Sequence, residues 1–404
     1  MSPLFVIFLT VFIDMVGFGI IIPVLPLYAE HFHASPVQIG WLTGIYSGMQ
    51  IIFMPILGRL SDRYGRRPIL IISLAGTAIG FLVMGWAHSL ALLFVARIID
   101  GATGGNIATA QAYIADISTP ENRSRSMGVI GAAFGLGFTF GPMIGGIMSH
   151  ISYGAPFYFA AALAAVNVVL LYFILPESLS PEYRSQPHVR TRLAEVFQHG
   201  HGRKFATIVA TYFFSITGFA IMTTLFALFT QRHFGFDARK TGYLFGFIGI
   251  ISVILQGGLI GRLIKMFGET ALARTGLLLL AISLALLPLV TTIPTLLAAC
   301  AAIAIANGLV NPTLNGLASQ MIDRSWQGRA LGLMQSAGSL GRLIGPLIGG
   351  WLLMFDLDQP LFRYARTPLF ASAAILLVAF ALALSFRKPI ADQVPGVLPV
   401  EADV

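Results

Sequence analysis

The sequence predicts an all-α membrane protein in which twelve transmembrane helices form two related six-helix bundles. Three observations predict this fold: the composition, a series of long uncharged apolar runs, and an internal repeat. Of the 404 residues, 56% are hydrophobic and only 10% are charged, whereas a typical soluble protein has about 45–50% and about 25%. So few charged residues cannot build a water-exposed surface, which excludes an ordinary soluble domain.

Twelve apolar runs, bounded by charges, Pro or Gly, are each long enough to cross a bilayer, which takes roughly 20 helical residues. Helices are predicted because an open sheet in lipid would leave backbone polar groups without hydrogen bonds. The first run lacks a basic leader and a small-residue cleavage site, so we interpret it as a retained helix and not as a signal peptide. The predicted spans, numbered 1 to 12, are 4–29, 37–60, 68–88, 90–117, 124–149, 155–175, 205–231, 238–263, 271–290, 293–321, 328–354 and 367–386.

The basic residues are distributed unevenly between the two sides of these spans. Eighteen of the 25 Lys and Arg residues lie in or beside alternate loops and in the C-terminal tail, and five lie on the other side. Since short cytoplasmic loops carry an excess of positive charge, both termini are predicted to be cytoplasmic, in the inner membrane of a bacterium. Topology thereby explains the net charge of +8, and no nucleic-acid partner is expected.

An internal repeat divides the chain into two halves, because Gly and Pro positions of span 5 recur in span 11 at a constant offset of 204 residues. The repeated residues are Gly128, Gly137, Gly141, Pro142, Gly145 and Gly146, which recur as Gly332, Gly341, Gly345, Pro346, Gly349 and Gly350. The prediction is a first six-helix bundle at 1–175, a cytoplasmic linker at 176–204, a second bundle at 205–390 and a cytoplasmic tail at 391–404.

A short motif between spans 2 and 3 reads Gly58-Arg-Leu-Ser-Asp62-Arg63-Tyr-Gly65-Arg66-Arg67-Pro68. It resembles the loop signature of the major facilitator transporters, whose two six-helix halves enclose a substrate site near the midplane. Glycine permits the tight turn, and the arginines hold the loop at the anionic inner leaflet. The resemblance implies a cytoplasmic latch between the halves; a basic loop that only sets topology is the alternative. The latch residues are Gly58, Asp62, Arg63, Gly65, Arg66 and Arg67, with Asp116 as the acidic partner of Arg66, whereas the second half has Lys265 in place of the aspartate.

Span 5, from Gly128 to Gly146, resembles the glycine-rich signature of the antiporter branch of the drug transporters. Small residues at helical spacing let two helices approach closely and pivot, although general helix packing would also explain them. The implied pivot residues are Gly137, Gly141, Pro142, Gly145, Gly341, Gly345, Pro346 and Gly349. With the Asp14 to Pro23 stretch and the Ala112 to Asp116 stretch, the resemblance covers essentially the whole chain and is greatest to the tetracycline and multidrug proton antiporters. Tetracycline exporters carry acids within spans 3 and 9, and the predicted spans 3 and 9 contain none, which argues against tetracycline as the substrate.

Four charged residues lie well inside the predicted spans: Asp14, Arg97, Asp100 and Arg342. Each costs at least about 2.5 kcal/mol at the bilayer centre and needs a partner or water. Asp14 is interpreted as the proton carrier, with a permanently neutral carboxyl as the alternative. Arg97 and Asp100 share one helical face, so they form either a purely structural pair or a second, switchable proton site. Arg342 is expected to pair with an acid of the first half or with an anionic part of the substrate.

A polar stripe in span 10 and scattered polar and aromatic residues are the remaining candidates for a substrate cavity. Interhelical hydrogen bonding and packing against lipid are the competing explanations. The predicted cavity residues are Tyr46, Gln50, Gln111, Phe134, Phe138, Phe214, Asn307, Asn311, Asn315, Gln335 and Arg342.

No Walker loop, HExxH or GxSxG motif occurs, so neither an ATP-driven pump nor an enzyme is expected, and no metal or cofactor. The leading hypothesis is a monomeric proton-coupled antiporter that exports small lipophilic, drug-like molecules by rocking of its two halves, with protons and membrane lipids as its other partners. A proton symporter of sugars or organic acids and a transporter of lipids or other amphiphiles are the alternatives.

Overall fold

The computed structural model describes residues 3–118, 123–179, 202–321 and 327–386. These residues are helical apart from short turns and loops, and they contain twelve helical segments long and apolar enough to cross a membrane. The predicted all-α membrane fold with twelve spans is therefore confirmed. Most of the predicted linker and the whole predicted tail lie outside the described residues.

The observed bounds of the spans lie within four residues of the predicted ones. Spans 1 to 6 are Pro3–His31, Pro36–Tyr64, Arg66–Gly85, Leu90–Thr103 with Asn106–Ile117, Arg123–Ser149 and Ala155–Ile174. Spans 7 to 12 are Gly202–Phe234, Ala238–Ile254 with Leu255–Leu259 and Ile260–Phe267, Glu269–Leu286, Ile293–Gln320, Gln327–Leu353 and Arg366–Ala383.

Polar side chains mark where several of these helices begin. Ser35 accepts a hydrogen bond from the backbone N–H of Gln38, and the Gln38 side chain accepts one from the N–H of Ser35 at 2.8 Å. Pro36 follows at the first helical position, where its missing N–H costs nothing. Span 10 begins with the same reciprocal arrangement between Thr292 and Thr295. Such caps satisfy backbone donors that the helix itself leaves free.

Two spans depart from regular α-helix, which the sequence analysis did not predict. Span 4 is interrupted at Gly104 and Gly105, between its two α-helical pieces. Span 8 contains a π-helical turn at Leu255–Leu259, which includes Gly257 and Gly258. In both places two consecutive glycines weaken the helix, and local departures of this kind recur at functional sites.

Small residues set the spacing between helices within each half. A Cβ atom built on Gly141 of span 5 would lie 2.6 Å from the carbonyl oxygen of Val16 in span 1. One built on Gly345 of span 11 would lie 2.6 Å from the carbonyl oxygen of Thr217 in span 7. Equivalent positions of the repeat therefore make equivalent contacts, and only residues without a side chain allow such close approach.

Two helix pairs make the most extensive contacts between the halves: span 2 packs on span 11, and span 5 packs on span 8. Span 1 also contacts spans 7 and 8. A Cβ atom on Gly44 of span 2 would lie 2.8 Å from the carbonyl oxygen of Leu343. A Cβ atom on Gly242 of span 8 would lie 2.6 Å from the carbonyl oxygen of Pro142. The two interfaces are thus built alike, with a glycine of one half against the backbone of the other.

These contacts lie toward one end of the molecule, the closed end, which carries the loops between spans 1 and 2 and between spans 7 and 8. There Arg232 Nη2 of the second half lies 2.7 Å from Glu30 Oε1 of the first. Toward the opposite, open end, Cβ atoms on Gly131 of span 5 and Gly332 of span 11 would meet no described atom within 4 Å. The halves therefore diverge from the closed end toward the open end.

Candidate functional site

The four charged residues in the middle of the spans gather around one tyrosine. The hydroxyl group of Tyr46 in span 2 interacts electrostatically with Asp14 of span 1, with Arg97 and Asp100 of span 4, and with Arg342 of span 11. Three of these charges belong to the first half and one to the second. Residues far apart in the sequence thus form one charged region between the halves.

This region lies at the level where the halves begin to separate. Tyr46 stands between Gly44 and Gly48, and Cβ atoms built on both glycines would contact Leu343 of span 11. On the other interface, a Cβ atom on Gly249 would lie 2.6 Å from Thr139 Cα. Beyond these positions, Cβ atoms on Gly131 and Gly332 of the open end would meet no described atom within 4 Å, so the charged region forms the floor of the space between the halves.

Arg97 and Asp100 form a buried ion pair, with 3.0 Å between Nη1 and Oδ2 and side chains only 2% and 5% exposed. The Arg97 guanidinium also lies over the Tyr46 ring, 4.4 Å from its centroid. The Tyr46 hydroxyl accepts a hydrogen bond of 2.9 Å from Gln50 Nε2, which also donates to the Gly104 carbonyl at 3.1 Å. Tyr46 and Gln50 are therefore buried parts of a polar cluster around the break in span 4. Losing one partner of such a buried pair leaves the other charge uncompensated.

Asp14 has a different environment, because its partner is an amide and not a cation. Asn106 Nδ2 donates to Asp14 Oδ1 at 3.0 Å. Asn106 is fully buried as the first residue after the break in span 4, whereas Asp14 is half-buried. The Asn106 Oδ1 atom is buried without a hydrogen-bond partner among the described residues. Nothing in the sequence pattern singled out Asn106; only its position beside Gly104 and Gly105 marks it.

Arg342 is the charged residue that the second half contributes. Its Nη2 donates to Ser339 Oγ at 3.0 Å, and it interacts with the Tyr212 side chain of span 7. Tyr212 also interacts with Asn315 of span 10. The predicted ion pair with an acid of the first half is not among the described contacts of Arg342.

The asparagine stripe of span 10 is largely bonded to itself. Asn311 Nδ2 donates to Asn307 Oδ1 at 3.0 Å, and Asn315 Nδ2 donates to the Asn311 carbonyl at 2.9 Å. All three asparagines are half-buried. Each of these amides therefore has hydrogen-bonding groups that the two contacts do not use. Asn315 links the stripe to the surroundings of Arg342.

The other predicted cavity residues lie at varied depths. Gln111 and Gln335 are exposed, and Phe134, Phe138 and Phe214 are half-buried. Phe134 packs against a hydrophobic core formed by the first half alone. Phe214 packs against a larger core that contains buried residues of both halves. Phe138 differs, because its ring lies 6.2 Å from that of Phe18, which in turn lies 5.9 Å from the Tyr46 ring. Phe138 is thus connected to the charged region through the contacts of Phe18 with both Phe138 and Tyr46.

The latch residues meet at the open end. Arg66 Nε lies 3.1 Å from Asp116 Oδ2, and its Nη1 donates to Ser61 Oγ at 2.7 Å and also pairs with Asp62. Gly65 turns the chain between spans 2 and 3 with φ of +108°, a conformation that favours glycine. These contacts join the ends of spans 2, 3 and 4 within the first half.

The other basic residues of the loop are placed around this group. Arg67 donates to the backbone carbonyl of Tyr172 and stacks near its ring, which links the loop to span 6. Arg63 is exposed, and its guanidinium lies 5.4 Å from the centroid of the Tyr64 ring. A Cβ atom on Gly58 would have no described neighbour within 4 Å.

Glu177 belongs to the same cluster as the predicted latch residues, and sequence reasoning missed it. Its two carboxylate oxygens accept hydrogen bonds from the backbone N–H groups of Arg66 at 2.8 Å and Arg67 at 3.2 Å. The next residue, Ser178, donates to Asp116 Oδ2 at 3.0 Å. A carboxylate at a helix N-terminus satisfies free donors and complements the helix dipole. The sequence does show an acid directly after the apolar run of span 6. Its role as a cap could not be predicted, because it depends on the position of span 3 beside it.

The pivot residues divide their contacts between the two kinds of interface. Gly137, Gly141 and Gly145 face span 1, and Gly341, Gly345 and Gly349 face span 7. The backbone carbonyl groups of Pro142 and Pro346 lie against Gly242 and Gly40 across the interface between the halves, while the Pro142 ring lies against Gly19 of span 1. One helix in each half therefore packs closely both on its own half and on the other.

Twelve spans in two repeated halves, with charged side chains between them, define a secondary-transporter architecture. A family model of the Major Facilitator Superfamily matches residues 7–327 and 257–402, and the chain belongs to that family. It is 34% identical to the class C tetracycline resistance protein of Escherichia coli, over 86% of this chain and 88% of that protein. It is 29% identical to multidrug resistance protein 2 of Bacillus subtilis, over 96% of both.

Solved structures share the same fold. The crystal structure of the human organic anion transporter MFSD10 (TETRAN) matches with a TM-score of 0.71 and 25% identity, over 94% of this chain and 98% of that one. A bacterial homologue of the human lysosomal transporter Spinster, in an inward-facing and unoccupied conformation, matches with a TM-score of 0.78 and 16% identity, over 94% and 95% of the two chains. The protein is thus an integral membrane transporter of the major facilitator family.

Proposed function

We propose that the protein is a proton-coupled antiporter that exports small lipophilic molecules, with Asp14 as the group that carries the proton. The observation that supports this proposal most strongly is the position of Asp14. Its carboxyl is half-buried in the middle of span 1, at the floor of the space between the halves, and is hydrogen-bonded to a neutral partner. An acid in the middle of a span is costly and marks ion or substrate pathways. Relatives named for tetracycline and multidrug resistance support a drug-like substrate.

Asp14 suits proton transfer better than Asp100 because its charge is not neutralised by a neighbour. Asp100 is held 3.0 Å from Arg97 and is almost fully buried, so protonating it would leave a buried guanidinium without its counterion. Asp14 is more accessible and has only an amide partner. A proton can therefore enter or leave Asp14 without disrupting an ion pair.

Asn106 is able to serve both protonation states of Asp14. Its Nδ2 group donates to the ionised carboxylate, and its buried Oδ1, which has no described partner, is able to accept a hydrogen bond from the protonated acid. Since Asn106 begins the second piece of span 4, a change at Asp14 is passed directly to the interrupted helix. This contact links the proton site of span 1 to the Arg97–Asp100 cluster.

Alternating access follows if the halves rock about their glycine-lined interfaces. The excess of basic residues supports a cytoplasmic position for the open end, with its Arg66 and Arg67 loop. In this orientation the conformation described is open to the cytoplasm. Opening the other side requires separation of Glu30 from Arg232 and of span 2 from span 11. The cluster around Arg66 would then meet the second half as the cytoplasmic side closes.

The proton gradient is large enough to drive such export. One elementary charge crossing about 150 mV supplies about 3.5 kcal/mol. By the rule that about 1.4 kcal/mol is tenfold, one proton per substrate sustains a gradient of roughly 300-fold. A single titrating carboxyl is therefore sufficient for strong efflux.

Proton movement in proteoliposomes tests this function. The purified full chain is reconstituted with a pH-sensitive dye inside, and ethidium, a tetracycline and glucose are added one at a time under an imposed proton gradient. We expect ethidium or the tetracycline to cause proton movement opposite to its own, and Asp14→Asn to abolish it. Asp358→Asn, which changes an exposed acid in a loop, is the control and should keep the coupling.

Two outcomes would contradict the proposal. Unchanged coupling in Asp14→Asn would remove the proton site from span 1. Proton movement in the same direction as glucose, with none for the lipophilic compounds, would instead identify a sugar symporter.

A further inference from the structure

Among the described residues of the second half, Arg342 is a cation in the middle of a span without an acid to neutralise it. Arg342 lies near the centre of span 11, Gln327–Leu353. The described acids of that half, Asp237, Glu269, Asp356 and Asp358, all lie at helix ends or in loops. A charge at this depth requires a counterion, water or a ligand, and no described carboxylate supplies the counterion.

The surroundings of Arg342 are polar but neutral. Ser339 Oγ accepts one hydrogen bond from its Nη2 at 3.0 Å. A Cβ atom built on Gly338 would lie 2.9 Å from Tyr212 Cε1 and 3.4 Å from Arg342 Nη1, so these two side chains lie next to each other. Asn315 of span 10 interacts in turn with Tyr212. A guanidinium has five N–H donors in a rigid fork, so part of the fork stays available to a ligand. Arg342 is half-buried and not sealed in the core, which gives a ligand access to it.

The charges facing each other across the space between the halves are complementary. On the first half, Arg97 is neutralised by Asp100, which leaves the carboxyl of Asp14 as the remaining ionisable group of the site. On the second half, Arg342 has no carboxylate partner among the described residues, and it is close enough to Tyr46 to interact with it electrostatically. An acid on one side carries the proton, and a cation on the other side is free for the transported molecule.

We propose that Arg342, with Tyr212 and Asn315, is an anion subsite that binds the carboxylate of an amphiphilic substrate. A guanidinium fork matches a carboxylate in two parallel hydrogen bonds, and the Tyr212 hydroxyl beside it adds a further donor. Asn315 Nδ2 already donates to the Asn311 carbonyl, so Asn315 contributes by positioning Tyr212. The apolar part of the substrate lies against the aromatic rings of Phe18 and Phe138 on the facing half. This assignment rests on the proposed transport function and adds lipophilic anions to the molecules that the site accepts.

Binding of three dansyl compounds to the purified full chain in detergent tests the subsite. Dansylglycine carries a carboxylate, dansylglycinamide replaces it with a neutral amide, and dansylcadaverine carries an amine cation on the same fluorophore. We expect the wild-type protein to bind dansylglycine about 10- to 100-fold more tightly than the amide, the range for a hydrogen bond to a charged group. Fluorescence titration measures all three affinities.

Variants separate the subsite from general binding. Arg342→Gln should bring the carboxylate-to-amide ratio close to one while keeping the affinity for the amide, which also shows that the variant is folded. Arg342→Lys keeps the charge without the fork and should retain part of the preference. Arg274→Gln is the matched control, because Arg274 of span 9 donates to the carbonyls of Ala383 and Leu384 at 3.0 Å, and it should leave the ratio unchanged.

The outcomes distinguish this inference from the transport function. Failure of dansylglycine to bind, tighter binding of dansylcadaverine, or an unchanged ratio in Arg342→Gln would each overturn the anion subsite. If proton antiport then persists with ethidium, the proposed function stands without the subsite. If the carboxylate preference depends on Arg342 but Asp14→Asn has no effect on proton movement, the subsite stands and the proton site falls.

Discussion

Gly242→Ala should disfavour close contact between the halves at the closed end. The added methyl group would clash with atoms of the opposite half and not with its own half. Gly242 lies in span 8, and a Cβ atom there would lie 2.6 Å from the Pro142 carbonyl oxygen and 2.9 Å from Gly146 Cα. Both of these atoms belong to the backbone of span 5, in the first half, and backbone cannot move aside as a side-chain tip can. The two halves must therefore separate to accommodate the methyl group.

The magnitude follows from the cost of overpacking a well-packed interface. Inserting a methyl group costs about 1–3 kcal/mol. This cost destabilises only the conformation in which spans 5 and 8 are in contact at the closed end. The ratio of the closed-end conformation to the alternative should fall by about 5- to 150-fold. Gly246 provides the matched control one turn later on the same helix, because its nearest atom, Met143 Cβ, lies at 3.5 Å, an ordinary contact.

Pulsed electron paramagnetic resonance measures this change in population through the distance between two spin labels. Spin labels at His150→Cys and Leu357→Cys report on opposite halves at the closed end, and both positions are exposed. The single native cysteine, Cys300, is buried and is replaced by alanine. We expect a longer distance to gain population in Gly242→Ala and not in Gly246→Ala. Equal distance distributions in the two variants would refute the assignment of this contact to the seal.

Three further changes test other contacts. Glu30→Gln should open the closed end by a smaller amount, about 0.2–1 kcal/mol, because the ion pair with Arg232 is partly exposed; the same label distances measure it, and exchange of the two charges should restore the wild-type distribution. Tyr46→Phe should cost about 1 kcal/mol, since Gln50 loses its acceptor at 2.9 Å; an unchanged unfolding midpoint in detergent would contradict this. Glu177→Ala should cost about 0.5–2 kcal/mol through lost capping of span 3, again seen in the unfolding midpoint, and a stability equal to wild type would argue against the cap.

Hydropathy was sufficient to locate the spans because the lipid environment permits few alternatives. Backbone polar groups in hydrocarbon must be bonded within the segment, so a long apolar run becomes a helix whatever its neighbours are. Span 10, predicted at 293–321 and observed at Ile293–Gln320, shows how closely the run determines the helix. The repeat between spans 5 and 11 added the pairing of related helices, since equal glycine positions imply equal packing.

Local irregularities were less visible to sequence reasoning. Glycine is frequent in membrane helices, so Gly104 and Gly105 looked like ordinary packing residues. Their effect depends on Gln50, whose amide bonds to the Gly104 carbonyl at 3.1 Å and comes from another helix. Asn106 was overlooked for the same reason, because its contact with Asp14 spans 92 residues of sequence.

The sequence by itself determined the helical membrane fold, its twelve spans and the four charges that had to be accounted for within it, because the cost of polar groups in lipid acts on each segment separately. Only the tertiary structure decided that Arg97 is neutralised by Asp100, that Asp14 has an amide for a partner, and that Arg342 has no acid beside it among the described residues. The physical reason is that pairing depends on the packing of different helices, which close glycine contacts between backbones determine. Hydropathy carries no information about those contacts.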